Sequence, residues 1–214
     1  MGIILLLLSC KKEEPGVDAD RIFSFYELKY DQNKDRTFVK ALLRLDGPEG
    51  DLIELSEPAE ISFNGDQLVF NPENREHQAT FAYLVDSGSF KYLNSDGKTI
   101  INSTPKLEKL TFPFTDPISR NRDLVVKWMG APVGKNETVQ LTLEGSDRAA
   151  TFQSSEEGEA EIIVPASEIK TLDRFGSGTY KLQRIYIDYM NTGTATGGTM
   201  TMKYITDGYV QFRN

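Results

Sequence analysis

The sequence contains one cysteine and one histidine in 214 residues, and both shortages limit what the protein can do. A single cysteine cannot form an internal disulfide, so the fold must depend on its hydrophobic core. A single histidine, His77, excludes a histidine-rich metal site and any catalytic arrangement that needs two histidines. The polar stretch around it, "NPENREHQAT", predicts an exposed loop residue with no catalytic role.

Positive charge and long hydrophobic runs are also scarce. The chain has 24 lysines and arginines against 32 acidic residues, for a net charge of -8. An acidic surface repels phosphate groups, so nucleic acid is not an expected partner. The aliphatic run Ile3 to Leu8 is too short to span a bilayer, which takes about 20 residues. A hydrophobic fraction of 39% still indicates an ordinary packed core.

The first ten residues carry a recognisable pattern. Leu7-Leu8-Ser9-Cys10 resembles the lipobox of bacterial lipoproteins, in which the cysteine is diacylated and becomes the new N terminus. The resemblance implies signal cleavage between Ser9 and Cys10 and a lipid anchor on Cys10. Residues 1–9 would then be a partial signal peptide, because the aliphatic run is shorter than the roughly 7–15 residues of a complete h-region. The alternative is a buried N-terminal strand with an incidental cysteine.

The residues after the cysteine favour a location. Lys11-Lys12-Glu13-Glu14 resembles the surface-export signal of Bacteroidota lipoproteins, with one additional lysine. The resemblance implies a protein of the outer membrane exposed at the cell surface; a periplasm-facing protein on a charged tether is the alternative. Residues 15–20 have the composition of a flexible linker, so we expect 10–20 to be a lipidated tether.

From Arg21 onward the hydrophobic period is two, which is typical of strands. Asn-Gly or Asp-Gly steps in "NGDQ" (64–67) and "NSDG" (94–97) separate apolar runs and predict hairpins. Strand-like runs at intervals of about 8–12 residues favour a β-sandwich. "PASEIKTL" (165–172) is the best helical candidate.

Prolines interrupt the pattern around 105–119, so we predict an all-β fold with two tandem immunoglobulin-like β-sandwiches, residues 21–116 and 117–214. The segments "DLVVKWMGAP" (123–132), "EIIVPASEIKTL" (161–172) and "GTYKLQRIYID" (178–188) resemble β-sandwich domains of uncharacterised Bacteroidota lipoproteins. "ISFNGDQLVF" (61–70) resembles the partner segment of the same proteins. The resemblance implies a fold and a surface location, and no catalytic residues.

Few motifs indicate chemistry. "DQNKD" (31–35) has the spacing of a calcium loop, but Arg36 and Leu42 occupy the positions where such a loop needs glycine and glutamate, so a hairpin turn is expected. The glycine-rich segments 175–180 and 192–199 do not lie between a strand and a substantial helix, so neither predicts a phosphate cradle. No metal or cofactor site is predicted.

Three aromatic residues are candidates for ligand binding. Trp128 is in phase with Leu124 and Val126, which favours a core position over a sugar-stacking platform. Tyr186 and Tyr189 flank an aspartate in "RIYIDYMN" and are better candidates for an exposed aromatic patch.

Three functions remain open at this point. The leading hypothesis is a non-enzymatic surface module that binds a glycan, a peptide or a partner protein through loops at the ends of the sandwiches. The second is a structural or accessory subunit of an outer-membrane assembly. The third is a small glycoside hydrolase with paired carboxylates, which needs two acids about 5–9.5 Å apart.

Overall fold

A computed structural model describes residues 11–12, 18–113, 117–146, 148–172, 176–190 and 194–213. Nearly all the regular structure is β-strand, which confirms the all-β prediction. The strands are β1 (Lys11–Lys12), β2 (Ile22–Asp31), β3 (Arg36–Leu45), β4 (Ile53–Glu54), β5 (Glu60–Phe63), β6 (Asp66–Gln67), β7 (Val69–Asn71), β8 (Glu76–Phe81), β9 (Ser89–Leu93), β10 (Thr99–Ser103), β11 (Ile118–Ser119), β12 (Leu124–Lys127), β13 (Glu137–Glu144), β14 (Ala149–Ser154), β15 (Glu161–Val164), β16 (Ser177–Met190) and β17 (Gly198–Arg213). A short 3-10 helix (Ala19–Arg21) precedes β2, and the helix α1 (Ala166–Leu172) lies where the sequence predicts it.

The predicted lipobox, with Ser9 and Cys10, lies outside the described residues. The described residues include parts of the segment expected to be a tether, 11–12 and 18–20. Lys11 and Lys12 pair in parallel with β4, and Ala19 is 1% exposed in the core. The Asp18 carboxylate accepts a hydrogen bond from the Asp20 backbone N–H at 2.9 Å and caps the 3-10 helix.

The predicted hairpins are present, and their turn residues explain them. Asn64 and Gly65 have φ values of 52° and 91°, as a two-residue turn between β5 and β6 requires. Gly97 adopts φ 81° in the turn that joins β9 to β10. Residues 32–35 form the turn between β2 and β3, where the Tyr30 hydroxyl donates to Asp35 Oδ1 at 2.8 Å.

One large sheet organises the molecule. Its strand order is β14-β13-β16-β17-β2-β3-β8-β7, with β11 pairing with the end of β17. The long strand β17 pairs antiparallel with β16 and parallel with β2, so strands from both halves of the chain meet at the centre of one sheet. The proposed division into domains 21–116 and 117–214 stays a prediction, and the sheet is continuous across it.

Smaller sheets pack against the inner face of the large sheet and complete the sandwich. The four-stranded sheet β10-β9-β5-β6 contacts it through Tyr26 and Phe90, whose rings stack with centroids 4.3 Å apart. The two-stranded sheet β12-β15 and helix α1 contribute Val126, Val164 and Ile169 to the same core cluster. Each such fully buried side chain contributes roughly 1.5–3 kcal/mol to folding.

His77 is buried, so the prediction of an exposed loop residue is wrong. It lies in β8, is 3% exposed, and is paired with Ala41 of β3 on the inner face of the sheet. Its Nε2 atom accepts the Leu55 backbone N–H at 3.3 Å, and burial lowers the pKa of the imidazole to about 4. Its polar neighbours Glu76 and Gln78 point to the other face, which explains why the local composition was misleading.

Candidate functional site

The outer face of the large sheet carries a depression that we call the sheet groove. It has a volume of about 510 Å³ and opens to solvent above β17, β2 and β3. The turn after β3 forms one wall. The lining residues are Phe25, Tyr26, Glu27, Lys40, Leu42, Arg44, Pro48, Glu49, Glu76, Thr199 and Thr201.

Strand register places the groove residues in two rows that cross the sheet. Thr199 is paired with Phe25, and Phe25 with Leu42, in the first row. The second row runs from Thr201 through Glu27 to Lys40. Because alternate residues of a strand face the same side, both rows point away from the core.

The wall of the groove is a tight turn held against the sheet. Gly47 has φ 127°, and the Gly50 backbone N–H donates to the Gly47 carbonyl at 3.1 Å. The Arg44 guanidinium donates to the Gly50 carbonyl at 2.8 Å through Nη1. These contacts place Pro48 and Glu49 beside the sheet surface and give the depression its shape.

Three of the charged side chains that line the groove, Glu27, Lys40 and Glu76, form ion pairs. Lys40 Nζ lies 2.5 Å from Glu76 Oε1, and Lys203 Nζ lies 2.5 Å from Glu27 Oε2. An ion-paired carboxylate still has lone pairs that accept hydrogen bonds, and a lysine ammonium has further N–H donors. The groove therefore offers hydrogen bonds to a ligand without requiring the ligand to carry charge.

Apolar side chains interrupt this polar face. Phe25 and Leu42 both line the groove, and the Phe25 ring contacts that of Phe23 with centroids 4.8 Å apart. Phe23 is 9% exposed and supports Phe25 from the side. Tyr189 of β16 is paired with Thr199 at the end of the first row and is 83% exposed.

The three aromatic residues predicted from the sequence lie in different places. Trp128 is 5% exposed in the core, where its Nε1–H donates to the Ala131 carbonyl at 3.0 Å, so it offers no platform to a ligand. Tyr186 is partly buried on the inner face, and its hydroxyl donates to Asp188 Oδ2 at 3.0 Å. Tyr189 is on the outer face, because residues three apart on a strand point to opposite sides. Tyr186 and Tyr189 therefore form no common patch.

Sequence reasoning missed Phe25 and Leu42 as binding candidates. A usable signal was present, since both are apolar residues out of phase with the buried positions of β2 and β3. An apolar residue at a position where the pattern calls for a polar one often marks a contact surface.

The described part of the chain offers little else for chemistry. Within it, no group of three or more His, Cys, Asp and Glu side chains is arranged to hold a metal ion. Asp31 and Asp35, from the calcium-like spacing, contact Lys34 and Tyr30 instead. Across the described ranges, no helix combines the length and apolar character needed to cross a membrane.

Comparisons with known proteins are uninformative. No protein-family model matches the sequence, and no curated protein matches it. A solved structure described as "Ca2+-stabilized adhesin helps an Antarctic bacterium reach out and bind ice" is similar at 14% identity with a TM-score of 0.27. The alignment covers 86% of this chain, which spans about half (48%) of the adhesin chain. At that TM-score the likeness supports no conclusion about function.

Proposed function

We propose that the protein is a non-catalytic binding module, anchored to the outer membrane through lipid on Cys10, with the sheet groove as its ligand site. The observation that carries the proposal is the groove itself, a concave surface of about 510 Å³ with a mixed lining of aromatic, hydroxyl and ion-paired groups. Ligand sites are typically depressions of about 300–1,000 Å³ with apolar walls and a few placed polar groups. Binding is thus assigned to the sheet face and not to loops at the sandwich ends.

The groove suits binding better than hydrolysis. A glycoside hydrolase needs one carboxylic acid that carries a proton and a second that is ionised. Glu27 and Glu76, two of the three carboxylates that line the groove, each form an ion pair with a lysine at 2.5 Å, an arrangement that suits acceptance of hydrogen bonds from a ligand.

The anchor rests on the sequence. Leu7-Leu8-Ser9-Cys10 supplies the lipidation motif, and the lysines and glutamates at 11–14 favour the cell surface. A binding module held there by a short tether would meet its ligand outside the cell.

An assembly role is the second candidate, and one observation favours it. Val125 and Ile163 lie directly opposite each other on β12 and β15, with exposed fractions of 42% and 55%. Met129, just beyond β12, is 64% exposed. Clustered exposed apolar side chains are typical of protein contact surfaces.

Thermal unfolding with a ligand panel tests the binding proposal. The full chain carrying Cys10→Ser, which cannot be lipidated, would be screened against glycans and peptides. A ligand at 100 times its Kd stabilises by about 2.7 kcal/mol, which raises the melting temperature of a chain this size by roughly 5–10 °C. Thr201→Trp fills the groove floor and should abolish the shift. Thr179→Trp, a matched change on the outer face at the far end of β16, should leave it intact.

Two results would contradict the groove assignment. One is a ligand whose shift survives Thr201→Trp. The other is a panel that produces no shift at all, which would favour the assembly role. In that case cross-linking on intact cells, with and without Ile163→Asp, would identify the partner surface.

A further inference from the structure

We propose that the ligand of the sheet groove is an extended, uncharged polysaccharide chain that lies across the strands and stacks its sugar rings on Tyr189 and Phe25. The inference rests on the proposed function and names the class of ligand. It is carried by the position of the groove in the sheet, by the charge balance of its lining and by the spacing between Phe25 in the groove and the exposed Tyr189 in the same row.

The position of the groove disfavours a peptide. A peptide that binds by strand addition needs an unpaired sheet edge that supplies backbone hydrogen bonds. The groove lies over β17, β2 and β3; β17 and β2 are paired on both sides, and β3 pairs with β2, with β8 over residues 37–41 and through an isolated bridge between Arg44 and Leu52. A ligand in the groove is therefore recognised by side chains and not by backbone groups. Such a surface suits a ligand that carries hydrogen-bonding groups on all of its edges.

The charge balance favours a neutral ligand rich in hydroxyl groups. The Lys40–Glu76 and Lys203–Glu27 pairs neutralise their own charges, and the other two charged lining residues, Arg44 and Glu49, are of opposite sign. Thr199 and Thr201 add hydroxyls that both donate and accept. Sugar hydroxyls have the same dual character, so they can bond to all three kinds of group.

The aromatic spacing matches a chain of pyranose rings. Tyr189, Thr199 and Phe25 occupy consecutive positions across three neighbouring strands. Two strand spacings separate the aromatic residues by about 10 Å. An extended β-1,4-linked chain advances by nearly one strand spacing per sugar, so alternate rings meet Tyr189 and Phe25 while Thr199 faces the ring between them.

The residues of the second row are placed to form hydrogen bonds with the edge of the same polysaccharide chain. Glu27 and Lys40 lie two residues along their strands from the Phe25–Leu42 row, a displacement of about 7 Å. That distance places their polar atoms beside the rim of a sugar ring stacked on Phe25. In this arrangement the first row stacks on the sugar rings and the second row forms hydrogen bonds with them.

Titration calorimetry of the full chain carrying Cys10→Ser tests this arrangement. The probes are cellohexaose and β-1,4-mannohexaose, with cellobiose as a chain too short to reach both rings and maltohexaose as a curved chain. Tyr189→Ala should weaken binding of the extended hexasaccharide by about tenfold, equivalent to ~1.4 kcal/mol. Phe25→Leu, which keeps bulk without the aromatic face, should weaken it several-fold.

The control is Tyr209→Ala. Tyr209 is 89% exposed on the same face of β17, ten residues from Thr199, or about 33 Å along the strand. Its removal should leave affinity unchanged. Thermal unfolding of each variant without ligand separates loss of the fold from loss of the binding surface.

Each outcome is decisive. Extended hexasaccharides that bind and respond to both aromatic changes support the inference. Binding that is indifferent to Tyr189 and Phe25, or equal for cellobiose and cellohexaose, overturns it. If neither hexasaccharide binds but another panel compound gives a shift that Thr201→Trp abolishes, the polysaccharide inference fails and the binding function stands. If no compound binds at the groove, both fail.

Discussion

Arg184 and Glu137 form an ion pair on the inner face of the large sheet, with 2.9 Å between Nη1 and Oε2. The Arg184 side chain is 1% exposed and that of Glu137 is 13% exposed. The guanidinium also donates to the carbonyls of Ala131 and Pro132. Since the Trp128 indole donates to the same Ala131 carbonyl, this cluster joins β16, β13 and the segment after β12.

Replacing Arg184 by alanine should lower the free energy of unfolding by about 3–5 kcal/mol, because it leaves the Glu137 carboxylate buried without its partner. Denaturant unfolding measures the change. Arg148→Ala is the matched control, since its ion pair with Glu168 is 45% and 41% exposed and such pairs contribute about 1 kcal/mol or less. An Arg184→Ala variant as stable as Arg148→Ala would contradict the structural role.

The buried His77 predicts a loss of stability in mild acid. The folded pKa of about 4 lies below the unfolded value of about 6.5, so the unfolded chain binds more protons between these values. The free energy of unfolding should therefore fall as pH drops from about 6.5 to 4, by about 3 kcal/mol in total. Unfolding titrations at several pH values measure this slope.

His77→Gln separates this effect from the acid sensitivity of carboxylates elsewhere. Glutamine cannot be protonated in this range, although its side chain still offers an acceptor for the Leu55 N–H. We expect the variant to be less stable than the parent at pH 7 and to lose less stability on acidification. If the free energy of unfolding fell equally with pH in the two proteins, the prediction would be wrong.

The turn that forms the wall of the sheet groove has no space for a side chain at Gly50. A Cβ atom at Gly50 would overlap the Leu45 carbonyl oxygen, so Gly50→Ala must displace the turn and its bond to Arg44. We expect weaker ligand binding together with a lower melting temperature. Gly65→Ala is the comparison, because its φ of 91° costs about 1–2 kcal/mol while nothing lies within 4 Å of the added carbon. It should lower stability without changing affinity.

The proposed lipidation of Cys10 predicts which cell fraction contains the protein. With the lipobox as written, the chain expressed behind a complete signal peptide should incorporate labelled fatty acid and sediment with membranes. Cys10→Ser should abolish both properties, whereas Ser9→Ala, which keeps a small residue before the cysteine, should preserve them. Protease treatment of intact cells then distinguishes surface exposure from a periplasm-facing anchor. Label incorporation into Cys10→Ser would exclude this anchor site.

Local features of the fold could be predicted, and long-range ones could not. Positive-φ residues such as Asn64 and Gly65 specify a turn within a few positions, so the hairpin was readable. The pairing of β17 with β2 has no local signal, because Lys203 and Glu27 are 176 residues apart and either strand could satisfy its pattern beside another partner. That pairing also creates the sheet groove, which was therefore invisible in the sequence.

The placement of side chains was predictable where a strand alternates strongly between apolar and polar residues. Trp128 followed Leu124 and Val126 into the core as expected. The burial of His77 was not predicted from its polar neighbours. Its inward-facing neighbour on β8 is the small Ala79, so apolar and polar residues alternate only weakly along this strand. Tyr189 was identified as a candidate, but the strand register places it in one row with Phe25 and not beside Tyr186.

The central parallel pair of β2 and β17 has a consequence for the order in which the chain folds. The pairing between β2 and β17 cannot form until β17, the last of the described strands to be synthesised, has left the ribosome. Non-local pairing of this kind slows folding. If the protein is exported as a lipoprotein, as proposed above, late formation of the large sheet would leave the chain without its final tertiary structure during export, and the sheet groove would form only after translocation.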